Sequence, residues 1–117
     1  MHELSVTSAI VDTVVQYAQG RRVTAVQVRF GRLRQVVPDS VAFYFELVSR
    51  DTVCEGARLD QEIVAAALRC ENCAHAWEID MPYFRCPKCG AVDVTVEAGE
   101  ELEVTSIDVE EEAECIA

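Results

Sequence analysis

Apolar positions recur along the first twenty residues at spacings of three and four. Leu4, Ile10, Val11, Val14, Val15 and Ala18 fall on one side of a helix predicted over residues 5–19, with Ser5 as its cap and Gly20 as its stop. The period then changes to two. Val26, Val28 and Phe30 alternate with Ala25, Gln27 and Arg29, predicting a half-buried strand over residues 23–30 that Gly31 ends. Residues 32–35 read as a basic connector. Pro38 and Asp39 then introduce a second helix over residues 40–49. Val41, Phe43, Tyr44, Phe45, Leu47 and Val48 make that helix strongly apolar, so it is expected to pack into the core.

After a loop over residues 51–57, a second strand is predicted from 58 to 68. A short hairpin-like stretch lies at 77–79. Val92, Val94 and Val96 alternate in another strand, which Gly99 ends. A last strand covers 102–109. Its alternation slips, because Leu102 and Val104 share one parity while Ile107 and Val109 share the other. A bulge near Thr105–Ser106 is the expected remedy, since one extra residue shifts the phase. The strands at 58–68 and 102–109 are expected to pair within one sheet. The fold class is therefore α+β: two helices packed on a small mixed sheet, with a four-cysteine, zinc-ribbon-like module inserted. Residues 1–68 with 100–112 form the α/β domain, 69–99 the module, and 113–117 an acidic tail.

Composition adds limits. Half of the 117 residues are hydrophobic, enough for a packed core. No run approaches the ~20 apolar residues of a membrane span. The start lacks a basic segment followed by an apolar one, so no secretory signal is read and a cytoplasmic home is expected. Twenty-one acids against ten basic residues leave a net charge of −11, which repels nucleic acid phosphates and anionic membranes.

Four of the six cysteines carry the clearest chemistry. Cys70-Glu71-Asn72-Cys73 and Cys86-Pro87-Lys88-Cys89 are two Cys-x-x-Cys turns separated by twelve residues. Four thiolates close a tetrahedral shell around a zinc-type ion and leave no position for a substrate, so the plain reading is a zinc that folds a small module. An iron-binding, rubredoxin-like electron carrier and a zinc-ribbon interaction module are the alternatives. His75 is placed outside the shell, as a residue able to enter it if one cysteine lets go. Trp77 and Phe84 are read as module core, Cys54 as a small packed residue and Cys115 as a tail thiol.

One of the two histidines is residue 2. The Met1 amine, the His2 backbone nitrogen and the His2 imidazole can chelate one ion through small rings, a nitrogen set that suits copper(II) or nickel(II). Glu3 could supply a fourth donor, and Asp39 is a more distant candidate. A histidine after Met1 also arises by chance, and the ligand chemistry alone leaves that open. No pairing of a nucleophile with a base is evident, so no enzyme is expected.

Met1-His2-Glu3-Leu4-Ser5, the helix after it, the strand ending in Gly31, the Pro38-Asp39-Ser40 turn and the two cysteine pairs together resemble the HypA family of hydrogenase maturation factors. That resemblance implies a cytosolic nickel metallochaperone. Transient Ni(II) would sit at Met1, His2 and Glu3, making residues 1–68 and 100–112 the nickel-binding domain. Structural Zn(II) would sit at Cys70, Cys73, Cys86 and Cys89. It also implies a nickel-handling GTPase and the large subunit of a [NiFe]-hydrogenase as partners. The chain itself is expected to be a monomer or weak homodimer.

Overall fold

A computed structural model describes residues 2–110; the acidic tail and Cys115 lie outside the described residues. Helix α1 spans Glu3–Ala18 and begins two residues before its expected start, because His2 and not Ser5 is the N-cap. The His2 carbonyl accepts the first helical bond, from the Val6 N–H at 3.1 Å. The buried face is Val6, Thr7, Ile10, Val11, Val14 and Ala18, whereas Leu4 and Val15 of the expected stripe are exposed. Burying each such Val or Ile contributes about 1.5–3 kcal/mol. That outweighs the at most ~0.7 kcal/mol by which a β-branched residue disfavours helix. The buried Thr7 hydroxyl donates to the Glu3 carbonyl at 2.6 Å, so it carries no unpaired proton into the core. The helix stops at Gln19 and Gly20, both left-handed, and Arg21 Nε caps the Ala18 carbonyl at 2.9 Å.

Strand β1, Val23–Gly31, is central in a three-stranded sheet of order β2-β1-β6, with β2 at Arg58–Val64 and β6 at Leu102–Val109. Gln27 displays this centrality: its amide nitrogen reaches Asp60 on β2 at 3.3 Å and Asp108 on β6 at 3.5 Å. The second helix, α2, spans Pro38–Val48, with Pro38 in its first turn, where a missing N–H is harmless. It packs into the core, as expected, through Val41 and Phe45 alone of its apolar residues, while Phe43 and Leu47 are exposed. Its apolar stripe is one residue per turn wide.

The predicted strand at 58–68 is two strands. It breaks at Ala65 into β2 and β3, the latter Ala66–Cys70, and they belong to different sheets. The second sheet is β4-β3-β5, with β4 at Ala76–Ile79 and β5 at Val94–Ala98, both antiparallel to β3. Thus β2 and β6 share a sheet without being neighbours, since β1 lies between them. The expected bulge in β6 is absent. Gly31 N–H bonds to Glu101 and Glu110 N–H to Arg22, so the register against β1 is the same at both ends. An edge strand half-exposed on both faces has no single buried face to restore. The irregularity falls in the β3–β5 pairing instead: Ala67 pairs with Ala98 and Leu68 with Val96, so β5 carries the extra residue, Glu97.

By its contacts the chain divides into two units. Among the described residues, one holds 2–28, 36–62 and 103–110, the other 29–35 and 63–102. The core of the first is α1 with Val23, Ala25, Val26, Val28, Val41, Phe45 and Cys54. The second buries Phe30, Ala66, Leu68, Cys70 and Cys86. Within it, backbone packs on backbone. A Cβ at Gly31 would lie 2.0 Å from the Gly99 carbonyl carbon, and one at Gly99 would lie 2.6 Å from Ala66 Cα. A short 3-10 turn at Arg32–Arg34 is tied to the same place, Leu33 N–H to the Gly99 carbonyl at 2.8 Å and Arg34 Nε to that of Glu100 at 2.7 Å. Among the described residues, no helix is long and apolar enough to cross a membrane.

Candidate metal centre

The first cysteine turn follows β3, whose last residue is Cys70, and β4 starts six residues later. Across the turn, Cys70 N–H donates to the His75 carbonyl at 2.8 Å and Ala74 N–H to the Cys70 carbonyl at 2.9 Å. The second turn repeats the pattern: Cys86 N–H to the Ala91 carbonyl and Gly90 N–H to the Cys86 carbonyl, both at 2.9 Å. In each turn backbone N–H groups point at the first sulfur. Asn72 and Cys73 reach Cys70 Sγ at 3.4 Å each, and Lys88 reaches Cys86 Sγ at 3.4 Å. Donors aimed at sulfur favour the thiolate, the form that binds metal.

The two turns bring all four Sγ atoms within 4.8 Å of one another. Cys70 meets Cys89 at 3.6 Å and Cys73 meets Cys86 at 3.6 Å. A tetrahedral zinc with Zn–S bonds of ~2.3 Å requires sulfur separations of about 3.8 Å. The donor set and spacing therefore fit zinc. Cys70 and Cys86 are buried, Cys73 and Cys89 exposed, so one side of the tetrad faces solvent.

Proton chemistry agrees. The Ala91 N–H and then the Asn72 side chain hold Cys89 down to about 6. At Cys73 the His75 N–H pulls downward, but desolvation and the three neighbouring thiols prevail and push it up to about 11. Without a cation the four sulfurs cannot all ionise near neutral pH, because like charges this close repel; a divalent ion removes that repulsion.

His75 contributes its carbonyl to the turn, and its imidazole stacks on Trp77 with centroids 5.6 Å apart and planes 10° from parallel. Trp77 is half-buried. Phe84, expected in the module core, is 41% exposed, and Met81 and Tyr83 beside it are more so. The loop that carries them has too few neighbours to cover them.

The structure places His2 and Glu3 at the start of α1, the first as N-cap and the second in the first turn; Met1 lies outside the described residues. Because helical bonding begins with Val6 N–H, the amides of residues 2–5 have no partner in the helix ladder. Asp39 stands in the first turn of α2, exposed. What sequence reasoning missed is the role of His2 as the cap, for which it offers no side-chain bond.

Comparison with known proteins places these features. A family model described as "Hydrogenase/urease nickel incorporation, metallochaperone, hypA" matches residues 1–109. The chain belongs to the HypA family. Hydrogenase maturation factor HypA of Geotalea uraniireducens is 46% identical over 110 residues, covering 94% of this chain and all of that one. The factor of the same name from Nostoc sp. is 38% identical over 111 residues, covering 95% and 97%. The solution structure of the Ni metallochaperone HypA from Helicobacter pylori superposes with a TM-score of 0.64 at 27% identity, covering 93% and 97%. HypA is thus a nickel-incorporation metallochaperone family acting in hydrogenase maturation, and the cysteine tetrad of this member suits a structural zinc. A role in maturation implies contact with other maturation factors.

Proposed function

We propose that this chain binds nickel(II) at its N-terminus and delivers it for assembly of a [NiFe]-hydrogenase metallocentre. Met1 supplies its amine, His2 its backbone nitrogen and imidazole, and Glu3 a fourth donor; residues 1–68 and 100–112 form the nickel-binding domain. Cys70, Cys73, Cys86 and Cys89 hold zinc, which closes the module of residues 69–99. The partners are a nickel-handling GTPase and the hydrogenase large subunit, met in the cytoplasm.

The observation that supports this most is the state of the His2 amide. It lies outside the helical hydrogen bonds, so metal coordination there breaks none of them. The positive end of the helix disfavours a cation and assists loss of an amide proton, and the Glu3 carboxylate offsets the former. A cation held by such a terminal set is exposed and exchangeable, which suits transfer.

The test is nickel titration by calorimetry of the protein with its native start, of His2→Ala, and of a form with an N-terminal extension. The native form is expected to bind one nickel, and both altered forms to lose it. Equal binding by all three would overturn the assignment.

A further inference from the structure

The free edge of β4 has a chemistry that the metal sites do not use. β4 is the outermost strand of β4-β3-β5, and among the described residues no strand lies beyond it. Its hydrogen-bond phase follows from the register. Cys70 N–H bonds to the His75 carbonyl, and Leu68 pairs with Trp77 and Ala66 with Ile79. Bonded and non-bonded pairs alternate in an antiparallel ladder, so 70·75, 68·77 and 66·79 are the bonded ones. The N–H and C=O of Ala76 and Glu78 therefore point away from β3, toward the edge.

Beside that edge lies a cavity of about 610 Å3, bordered by Trp77, Glu78 and Ile79 of β4 and by Tyr83, Arg85, Cys86, Pro87 and Gly90 from the segment that follows. Trp77 and Ile79 project to one face, with the Trp77 ring braced on His75. Tyr83, 66% exposed, also borders the cavity. By the alternation of the strand Glu78 belongs to the opposite face of β4, exposed and across from the uncharged Ala67, and it also borders the cavity. Asp80 follows it, and the whole chain carries −11.

We propose that this edge binds an extended segment of a partner protein by strand addition. The outward groups of Ala76 and Glu78 require an extended backbone. The cavity takes apolar side chains at alternate positions, and Glu78 and Asp80 select basic residues between them. The surface thereby gives the zinc module a recognition role of its own.

The probe is the synthetic peptide acetyl-Lys-Val-Lys-Val-Lys-Val-Lys-amide, titrated into the zinc-loaded full chain. Trp77 is the only tryptophan, so its fluorescence reads the site directly. The control peptide has the same sequence and charge with alternate amides N-methylated, which removes edge bonding alone. Saturable change is expected, with at least tenfold weaker binding of the methylated peptide. Glu78→Pro is expected to weaken binding to the same degree while retaining one zinc, since the N–H it removes faces outward. No saturable change, or equal binding of the two peptides, would overturn the proposal. If Glu78→Pro loses zinc, the two-peptide comparison on the native chain decides. Nickel binding at the N-terminus enters neither reading.

Discussion

Ala74 and Gly90 occupy the same place in the two cysteine turns. Each N–H donates to the carbonyl of the first cysteine of its turn at 2.9 Å, and each backbone is left-handed, with φ of 63° at Ala74 and 77° at Gly90. The turn geometry demands that conformation; only one of the two residues adopts it freely. Left-handed backbone disfavours an L-residue by about 1–2 kcal/mol, offset in part by the extra freedom glycine has when unfolded. Ala74→Gly is therefore expected to stabilise the zinc-bound protein by roughly 0.5–1 kcal/mol, and Gly90→Ala to destabilise it by a similar amount. Nothing lies within 4 Å of a Cβ at Gly90, so backbone strain alone is at issue. Thermal unfolding of the three zinc-loaded proteins checks both.

Asn72 tunes the tetrad from outside. Its amide reaches Cys89 Sγ at 3.7 Å and, after the Ala91 N–H, is the second reason that this thiol is held down to about 6. A depressed acid contributes above its unfolded pKa, and the contribution disappears as pH falls through the folded one. Removing a cause raises the folded pKa, so protons compete earlier. Asn72→Ala is expected to release zinc at higher pH and to bind it about tenfold more weakly at neutral pH. A chelator competition series from pH 5 to 8 measures this. An unchanged release profile would deny Asn72 that role.

Asp60 offers a second pH signature, in the other sheet. Arg58 and then Gln27 hold its carboxyl below the usual 3.8. By the same sign rule, the favourable pairing is complete above ordinary carboxylate pKa values and fades in more acidic solution. Carboxyl-carbon NMR of Asp60 is expected to titrate below 3.8, and in Arg58→Ala to move upward.

Gly99→Ala is expected to be strongly damaging for the addition of one methyl. At φ of +113° an L-residue is strained, and its Cβ would lie 2.6 Å from the backbone of Ala66, which cannot swing aside as a side chain could. Overpacking and backbone strain together set a loss of about 3 kcal/mol or more. Urea unfolding measures it. A loss under 1 kcal/mol would mean that β3 shifts to make room.

The elements visible in the sequence were those with one strong period. The α1 pattern located the helix, and the 3.6 period survived its many β-branched residues because one face is buried. The cysteine spacing located the tetrad. The break at Ala65 left no such trace: residues 58–68 carry no proline or glycine, and a strand that changes sheets keeps its extended backbone. The exposed Phe43 and Phe84 show the other limit. Side-chain type says what burial would gain, but not whether a neighbour is there to provide it. His2 as cap was hidden for a related reason, since no side-chain bond marks it.

The carbonyl of His2 opens the helix while its own N–H stays outside the ladder. A guest seated on that peptide group can arrive and depart without unwinding a turn, so its residence time is set by the guest's own bonds. The tetrad works in the opposite way. Four chain-borne sulfurs converge from two turns, and the ion that joins them is a fastener whose loss frees both ends. On the proposed assignment, one fold thus distinguishes hardware from freight.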